Sequence, residues 1–456
     1  MRESMFINHF QRHHDFYRGL RLIAIPIALQ QLITTSLNMV DTLMVGKISV
    51  DAVAAVGVAN QYYFLLSMIM FGLYSGGSVF FAQYYGKREL KKIHGLLGFT
   101  LMIGAILSLV FAVTAFMVPE FIIDLFTDSE EAIKLGASYL RVACFSYPFM
   151  VLSFGMSTGL RTIEKPKFSM YASILALSLN TVLNFIFIFG LGGVPAMGVV
   201  GAALATVISR LVEFCCIYYF AYFKTDEMNP TWRDLIRFNR PQIKQLMITS
   251  LPVIINEMFW GLGMTVYVLI YGEISVEAIS VMNIVNAIGN IFFIAGNGVG
   301  NASTVMLGKQ LGANEPLKAI EMARLFTKVC AVFGIISACL YAACIPLIVP
   351  LYSSFDDSTL QLMKQVMIIS ALGTPLRFIN MLNIVGIFRS GGDTKYAMTL
   401  ELGMLWGVGV LGAFTLVKVF SAPLFMVVIL IQLEEVLKVI VGYFRVKSNK
   451  WVRTLV

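Results

Sequence analysis

The chain has 456 residues, of which 58% are hydrophobic and only 13% are charged. A soluble globular protein of this size does not need so much apolar surface, so the composition excludes a soluble enzyme or binding domain and predicts a multi-pass membrane protein. The formal net charge of +8 does not indicate nucleic acid as a partner, because the basic residues of a membrane protein gather in its cytoplasmic loops.

Hydrophobic runs separated by polar breaks recur along the whole chain, and each is long enough for a helix to cross a bilayer, which takes about 20 residues. Transmembrane strands need only about 9–11 alternating residues, and otherwise only helices satisfy the backbone in lipid. The sequence therefore predicts an all-α integral membrane protein with twelve transmembrane helices. The predicted spans are 19–46, 53–82, 94–118, 136–160, 168–190, 199–222, 246–272, 277–307, 325–351, 364–388, 396–418 and 422–444.

The first apolar segment, AIPIALQQLITTSLNMVDTLMVG at 24–46, carries an acid, Asp41, in its second half. A carboxylate in a membrane helix costs about 2.5–3.5 kcal/mol on insertion scales unless the protein satisfies it, so such an acid indicates a functional site. The alternative is that Asp41 lies near the helix end and reaches water there.

Two asparagines in the predicted fifth helix, Asn180 and Asn184, stand four residues apart and share one face. Thr206 in the sixth helix adds a hydroxyl. With Asp41, these groups offer the oxygen ligands that Na⁺ prefers, or a hydrogen-bonded cage for a proton-binding acid. We predict cation coupling at these four residues, with Na⁺ at Asp41 and Asn180 as the only metal ion considered. The alternative is that the asparagines join neighbouring helices.

A second acid, Glu257, lies in the predicted seventh helix, beside Asn256 and one turn before Trp260. An acid next to aromatic residues can bind a cationic substrate or carry a proton, and we predict one of these roles for the three residues. The alternative is a structural carboxylate that hydrogen-bonds to a neighbouring helix.

The predicted eighth helix is rich in asparagine, at spacings close to the helical period. A polar stripe in a membrane helix faces protein or water rather than lipid. We predict that it lines a hydrated cavity, with Asn283 and Asn286 near the substrate, and the alternative is plain contact between helices. The stripe consists of Asn283, Asn286, Asn290, Asn297 and Asn301.

Basic residues concentrate in alternate loops, near 87–92, 161–167, 224–244, 309–324 and 389–395, whereas the loops between them are short or acidic. The positive-inside rule places the basic loops in the cytoplasm. An even number of helices then puts both termini in the cytoplasm.

The two halves of the chain repeat each other. AIPIALQQL around Pro26 matches SLPVIINEM around Pro252, and QYYGKRELKKI from Gln83 matches KQLGANEPLKAI from Lys309. The offset stays at about 226–228 residues, half the chain, which indicates a duplication. Because each half has six helices, the repeats are parallel.

We predict three segments from this duplication. An N-lobe at 1–223 holds helices one to six, a cytoplasmic linker occupies 224–244, and a C-lobe at 245–456 holds helices seven to twelve. Duplicated halves with polar residues inside their spans are typical of transporters that work by alternating access.

Signatures of enzymes and cofactor-binding proteins are missing from the sequence. There is no loop of the G-x-x-x-x-G-K-[ST] type, no zinc motif and no serine-centred elbow. The six cysteines lie in apolar stretches without the spacing of a metal site. We therefore predict no enzyme activity and no cofactor, so a transporter would take its energy from an ion gradient.

Several motifs together resemble the multidrug and toxic compound extrusion (MATE) transporters over essentially the whole chain. These motifs are VDTLMVGKIS and AVAAVGVAN in the first hairpin, GLRTIEKPKF after helix four, LNTVLNFIFIFGLGGVPAMGVVGAALAT, and FRSGGDTKY after helix ten. The resemblance implies a V-shaped pair of six-helix lobes. It also implies export of amphipathic, mostly cationic compounds in exchange for H⁺ or Na⁺.

The resemblance also extends to single residues. In many bacterial members an acid in helix one forms the cation site with polar residues of helices five and six, and Asp41 and Asn180 match that pattern. Asn184 stands where such members often have an acid, which removes one negative charge. Another branch uses a glutamate of helix seven; Glu257 is similar but lies nearer the proline, and helix ten holds no acid.

We expect a monomeric multidrug antiporter of the bacterial inner (cytoplasmic) membrane, coupled to H⁺ or Na⁺. The alternative within the same superfamily is a flippase for lipid-linked oligosaccharides. Such a protein usually lines its cavity with several basic residues to hold a pyrophosphate, whereas the intramembrane charges placed here are acids. A membrane-embedded enzyme or a receptor is a further alternative.

Overall fold

The computed structural model describes the backbone at residues 2–127, 129–229, 231–235, 239–352 and 355–456. Within these ranges, side chains are described from residue 14 onward, except at positions 37, 50 and 232. Every regular element of this described part is a helix. The predicted all-α class is therefore confirmed. Positions 230 and 236–238 of the predicted linker lie outside the described residues.

Twelve long helices follow one another in the described chain, and eleven of them are long and apolar enough to cross a membrane. Short helices at Pro119–Asp124 and Trp232–Leu235 lie between them. The long helices are α1 Arg2–Gly46, α2 Val50–Gly86, α3 Leu90–Met117, α4 Glu130–Thr162, α5 Pro166–Phe189, α6 Gly198–Lys224, α7 Arg240–Gly272, α8 Val276–Gly312, α9 Pro316–Tyr352, α10 Asp357–Phe388, α11 Thr394–Lys418 and α12 Leu424–Lys447.

The predicted twelfth span forms a helix but differs from the others in charge. Lys438 Nζ of α12 lies 2.9 Å from Glu434 Oε1 and 2.7 Å from Glu435 Oε1. With three charged side chains in its apolar stretch, α12 is not among these eleven helices. Ion pairing inside the protein explains how these charged side chains can be buried.

Several helices begin earlier than the apolar runs predict, because polar caps extend them. Ser129 accepts a hydrogen bond from the Ala132 amide at 3.3 Å and so starts α4. Asp356 caps α10 and accepts from the amides of Ser358 and Thr359. Hydrogen bonds from Ser358 and Thr359 also hold the pKa of Asp356 at about 2. Hydropathy measures only the lipid-compatible part of a helix, whereas capping decides where the backbone helix begins.

The predicted duplication is visible in the turns. Pro26 lies inside α1 and Pro252 inside α7, as the repeat requires. Arg88 after α2 and Asn314 after α8, which are one repeat apart, both adopt left-handed backbone with φ of 61° and 60°. Non-glycine residues rarely adopt that conformation. The same backbone state at matched positions therefore indicates two copies of one helical hairpin.

The chain divides into two compact units. The N-unit comprises 29–81 and 89–247, and the C-unit comprises 1–28, 82–88 and 248–456. The beginning of α1 and the end of α2 thus group with the C-unit. The predicted lobe boundaries at 223 and 245 remain a prediction.

Close packing between helices of the N-unit depends on glycine. A Cβ atom built at Gly104 of α3 would lie 2.4 Å from the Tyr74 hydroxyl oxygen, and one at Gly155 of α4 would lie 2.7 Å from the Tyr74 ring. Tyr74 itself is fully buried. The two glycines therefore let α3 and α4 approach α2 closely, as small residues do in membrane bundles.

Candidate functional site

The N-unit contains a cavity of about 370 Å³, built from α1, α2, α4, α5 and α6. Apolar residues such as Val56, Phe64, Met150 and Leu177 form part of its wall. A cavity of mixed polarity and this size suits a small amphipathic molecule. Its polar lining comprises Asn38, Asp41, Thr42, Asn60, Tyr63, Ser67, Tyr139, Asn180, Asn184, Thr206, Ser209 and Arg210.

Asp41 reaches the cavity from α1 and is held by the two asparagines of α5. Asn184 Nδ2 donates to Asp41 Oδ1 over 2.8 Å. In the amide orientation that satisfies both of its polar atoms, Asn180 Nδ2 donates to Asp41 Oδ2 over 2.7 Å. Both asparagines are buried, at 5% and 2% exposure. Each carboxylate oxygen thus receives an amide N–H, which stabilises the charged form inside the helix bundle.

Thr206 of α6 contacts Asn180 through its backbone. In the same orientation the Asn180 side-chain oxygen accepts from the Thr206 backbone N–H at 3.3 Å. The Thr206 hydroxyl donates to the Ala202 carbonyl of its own helix at 3.0 Å. The structure therefore brings Asp41, Asn180, Asn184 and Thr206 together on one cavity. Their role in ion coupling remains a prediction.

One buried oxygen in this group has no hydrogen-bond partner within the described residues. It is Oδ1 of Asn184, whose amide nitrogen faces Asp41. An unpaired buried acceptor is costly unless a ligand or water satisfies it. Together with the carboxylate, it can supply oxygen ligands to a small cation.

Arg210 is a cavity residue that sequence reasoning did not assign to the site. Its Nη1 donates to Glu213 Oε2 over 2.7 Å, and Ser173 donates to Glu213 Oε1 over 2.6 Å. Gln30 Nε2 in turn donates to the Ser173 hydroxyl over 2.7 Å. Helical spacing could have placed Arg210 in the site, because it stands one turn after Thr206 and so shares its face.

In the C-unit, Glu257 forms a buried ion pair. Arg389 Nη2 donates to Glu257 Oε1 over 2.7 Å, and the two side chains are 2% and 12% exposed. We predict Arg389 in the basic loop at 389–395, whereas the structure continues the helix through this residue and buries its side chain against Glu257. The last seven residues of α10, Leu382–Phe388, form a wider π-helical turn, and Arg389 follows directly at the buried end of this helix.

Asn256 contacts a different acid. Its Nδ2 donates to Glu401 Oε2 of α11 over 2.6 Å, whereas its Oδ1 is buried without a partner among the described residues. Trp260 packs against the buried cluster around Tyr267 and does not join these polar contacts.

The predicted asparagine stripe is only partly exposed. Asn283, Asn286 and Asn290 lie on the exposed face of α8. Further along, Asn301 Nδ2 donates to the Asn297 carbonyl at 2.8 Å, within the helix itself. Within the described residues, no hydrogen bond links the stripe to Glu257 or Asn256. The structure thus divides the second predicted group into separate parts, and its function remains a prediction.

Comparison with known proteins identifies sequences that are similar to this chain. The MatE profile matches residues 26–186 and 252–415. The probable multidrug resistance protein YoeA of Bacillus subtilis is 25% identical over 403 residues, which covers 88% of this chain and 87% of that protein. The probable multidrug resistance protein NorM of Haemophilus ducreyi is 24% identical over 415 residues, which covers 88% and 86%.

Solved structures share the fold. An outward-facing multidrug resistance MATE family transporter of the MOP superfamily superposes with a TM-score of 0.85 at 20% identity, over 95% of this chain and 96% of that one. A MOP superfamily transporter from Pyrococcus furiosus gives the same TM-score, identity and coverage. At this identity the likeness supports the fold alone.

The two matched segments fall on the two halves of the duplication. The first includes Asp41, Asn180 and Asn184, and the second includes Glu257. Both relatives are named as resistance proteins rather than as enzymes, in agreement with the predicted absence of enzyme activity. A repeat of helical hairpins, a polar cavity around an intramembrane acid and a profile match over both halves lead to one assignment: the chain belongs to the MatE family.

Proposed function

We propose that this protein is a multidrug antiporter that exports amphipathic compounds, mostly cations, in exchange for H⁺ or Na⁺. The observation that carries the proposal is Asp41, which lies on a cavity of about 370 Å³ with its carboxylate bound by Asn184 Nδ2 at 2.8 Å. The names of the relatives YoeA and NorM support the drug-export part of the proposal. The ion and the charge of the substrate come from the chemistry of the site.

Asp41 is suited to exchange because it can hold one positive charge at a time. When the acid is ionised, it attracts a cationic substrate into the cavity. When a proton or Na⁺ neutralises it, that attraction is lost and the substrate leaves. A ligand shifts a conformational equilibrium only by its different affinity for the two states. Competition for one carboxylate supplies such a difference.

Asn180, Asn184 and Thr206 would complete the coupling site. Amide and hydroxyl oxygens are ligands that Na⁺ accepts, and the same groups can hydrogen-bond a protonated acid. The unpartnered Asn184 Oδ1 is placed to serve either purpose. A single acid in this group favours weak Na⁺ binding and therefore H⁺ as the coupling ion.

Glu257 is our second candidate for a proton or substrate site, with Asn256, Trp260, Asn283 and Asn286 around the substrate path. Its ion pair with Arg389 argues for a structural role instead. A carboxylate held in a buried ion pair is costly to separate from its partner. We therefore place coupling at Asp41.

We further propose that the protein works as a monomer in the inner (cytoplasmic) membrane, with both termini in the cytoplasm. The basic loops near 87–92, 161–167 and 309–324 support this orientation. Cysteine labelling from either side of membrane vesicles, at Lys91→Cys and at Glu130→Cys, tests it. Lys91→Cys is expected to react from the cytoplasmic side and Glu130→Cys from the opposite side.

The decisive experiment measures ethidium transport in proteoliposomes under an imposed H⁺ gradient and, separately, a Na⁺ gradient. Wild type is compared with Asp41→Asn, with Glu257→Gln and with Asp51→Asn. Asp51 is an exposed acid at the start of α2, so Asp51→Asn is a matched control for the loss of one carboxylate. We expect uphill transport to be lost in Asp41→Asn and kept in Asp51→Asn.

Other results would redirect the proposal. Loss of transport only in Glu257→Gln, in protein that thermal unfolding shows to be folded, would move coupling to the C-unit. Uphill export that survives in Asp41→Asn would contradict the mechanism. If no gradient drives export of any tested cation by wild type, the multidrug function itself is wrong and the flippase alternative becomes the better hypothesis.

A further inference from the structure

The segment after α12, residues 448–456, packs against the C-unit, and we call it the strap. Trp451 anchors it, since this side chain is fully buried in an apolar cluster with residues of α1, α8, α9 and α10. The Thr454 hydroxyl donates to the Leu311 carbonyl of α8 at 3.2 Å. A Cβ atom built at Gly391, in the turn between α10 and α11, would clash with the Trp451 carbonyl oxygen. The strap therefore lies directly on this turn and on the end of α8.

The strap also binds the end of α2. This helix belongs to two units, because its residues up to 81 group with the N-unit and residues 82–88 with the C-unit. Gln83, in the second part, is fully buried. Its Nε2 donates to the Ser390 carbonyl over 2.9 Å and to the Arg453 carbonyl over 3.2 Å, and its Oε1 accepts from the Leu455 amide over 2.7 Å. Two of these three hydrogen bonds go to the strap.

The buried amide of Gln83 makes the strap energetically important. If the strap moved away, Gln83 Oε1 would lose the Leu455 amide, and a buried acceptor without a partner is costly. Packing against α8 holds the end of α2 as well, since a Cβ atom built at Gly86 would clash with the Lys309 carbonyl oxygen. The end of α2 is thus fixed in the C-unit by α8 and, through Gln83, by the strap.

The first half of the chain contains a matching contact in the N-unit. Lys165, directly before α5, lies 2.6 Å from Glu227, which follows α6. One repeat later, Asp393, directly before α11, lies 3.4 Å from Arg453 of the strap, with the two charges exchanged. Met228, next to Glu227, is also fully buried. Because each half has this contact, a segment that returns to the start of the fifth helix is part of the repeated unit.

We propose that the strap holds the end of α2 in the C-unit and that uphill export depends on this hold. The inference rests on the proposed antiport function and adds a conformational device to it. Alternating access moves one half of a duplicated transporter against the other. A helix whose residues belong to both units transmits such a movement only while each part is fixed in its own unit. Release of the strap would let the end of α2 follow the N-unit and would uncouple the movement.

Hydrogen exchange of backbone amides, measured by mass spectrometry on the purified protein, tests the hold directly. Two variants release the strap by different routes. Gln83→Met removes the buried amide and keeps most of its volume, whereas Gly391→Ala places a methyl group against the strap backbone and leaves Gln83 unchanged. For both we expect exchange at 84–88 to become about tenfold faster, since the loss of one buried hydrogen bond shifts local opening by about this factor.

Two further variants serve as matched controls. Gln61→Met changes an exposed glutamine of the same helix, and Gly403→Ala adds a Cβ atom that meets no atom within 4 Å. We expect wild-type exchange at 84–88 in both. In proteoliposomes, the two strap variants are expected to lose most of the uphill export of ethidium and to keep the affinity of the purified protein for ethidium, whereas the controls keep both.

Three results would overturn the inference. Wild-type exchange at 84–88 in both strap variants would show that the strap does not hold α2. Faster exchange throughout the chain, rather than at 84–88 and in the strap, would show a general loss of stability instead. Faster local exchange with unchanged uphill export would remove the link to transport. The proposed antiport function fails in a different way: wild type would export no dye, while the local difference in exchange, which needs no gradient, would still be observed.

Discussion

Glu257 of α7 and Arg389 at the end of α10 form an ion pair of 2.7 Å with side chains only 12% and 2% exposed. The two residues come from segments far apart in the chain, and both lie in the C-unit. A pair buried to this degree adds little net stability against an apolar replacement, but removal of one member leaves a buried charge. We therefore expect that replacing one member of the pair costs more stability than replacing both.

We predict that Glu257→Gln lowers the free energy of unfolding by about 3–5 kcal/mol, since the buried Arg389 loses its 2.7 Å ion pair. The double variant Glu257→Gln with Arg389→Gln is expected to be more stable than either single one. Thermal unfolding in detergent measures both. As a matched control, Lys318→Gln breaks a pair with Glu315 that is 45% and 48% exposed, and a loss of at most about 1 kcal/mol is expected there. Equal losses at the two sites would contradict burial as the cause.

Most of the fold could be predicted from the sequence, because hydropathy and turn residues are local signals. The exact ends of the helices were harder to predict. Asp356 and Ser129 extend helices beyond the apolar runs by capping, and hydropathy does not measure this. α12 is predicted as a span in spite of Glu434, Glu435 and Lys438, and the structure pairs these charges with one another.

Site residues could be predicted from the sequence where helical spacing brings them to one face. They could not be predicted where contacts between different helices determine their position. Asn180 and Asn184 share a face of α5, and the structure places both beside Asp41. Arg389 was assigned to a loop, because no composition rule reveals the π-helical turn at Leu382–Phe388. Arg210 is absent from the site predicted from the sequence, since its exposure to a cavity depends on the packing of five helices.

The C-terminal segment is predicted to depend on Trp451, which is fully buried. Gln83 fastens the same segment: its Nε2 donates to the Arg453 carbonyl at 3.2 Å, and its Oε1 accepts from the Leu455 amide at 2.7 Å. For Trp451→Ala we expect a loss of about 3–5 kcal/mol from the cavity that is created, together with faster tryptic cleavage at Lys450 and Arg453. Phe444→Ala, at a side chain 64% exposed, is the control. A tail that stays as protease-resistant as in wild type would refute the role of Trp451.

A third stability prediction concerns the contact between the end of α2 and the end of α8. A Cβ atom built at Gly312 would lie 1.9 Å from the Gln83 carbonyl oxygen, whereas one at Gly403 of α11 meets no atom within 4 Å. Alanine favours a helix over glycine by about 1 kcal/mol. We therefore expect Gly403→Ala to be neutral or stabilising and Gly312→Ala to be clearly destabilising, as measured by the midpoint of thermal unfolding. Similar midpoints for both variants would show that the backbones separate at little cost.

The last prediction concerns the ion. Asn184 donates to Asp41 over 2.8 Å, so Asn184→Asp places a second carboxylate within hydrogen-bonding distance of the first. Two such acids cannot both stay charged without a cation between them: they share a proton or bind a metal ion through hard oxygen ligands. We expect Na⁺ to stabilise Asn184→Asp more than wild type, by about 2.7 kcal/mol when Na⁺ reaches a hundredfold excess over its Kd.

Thermal unfolding in NaCl and in KCl at equal ionic strength measures this difference, because nonspecific screening is the same in both salts. Asp41→Asn combined with Asn184→Asp restores a single carboxylate and is expected to lose the response to Na⁺. Equal midpoints in the two salts for Asn184→Asp would mean that the asparagine does not limit Na⁺ binding. A strong response of wild type itself would make Na⁺ the better candidate for the coupling ion, since the group around Asp41 would then bind it with one acid.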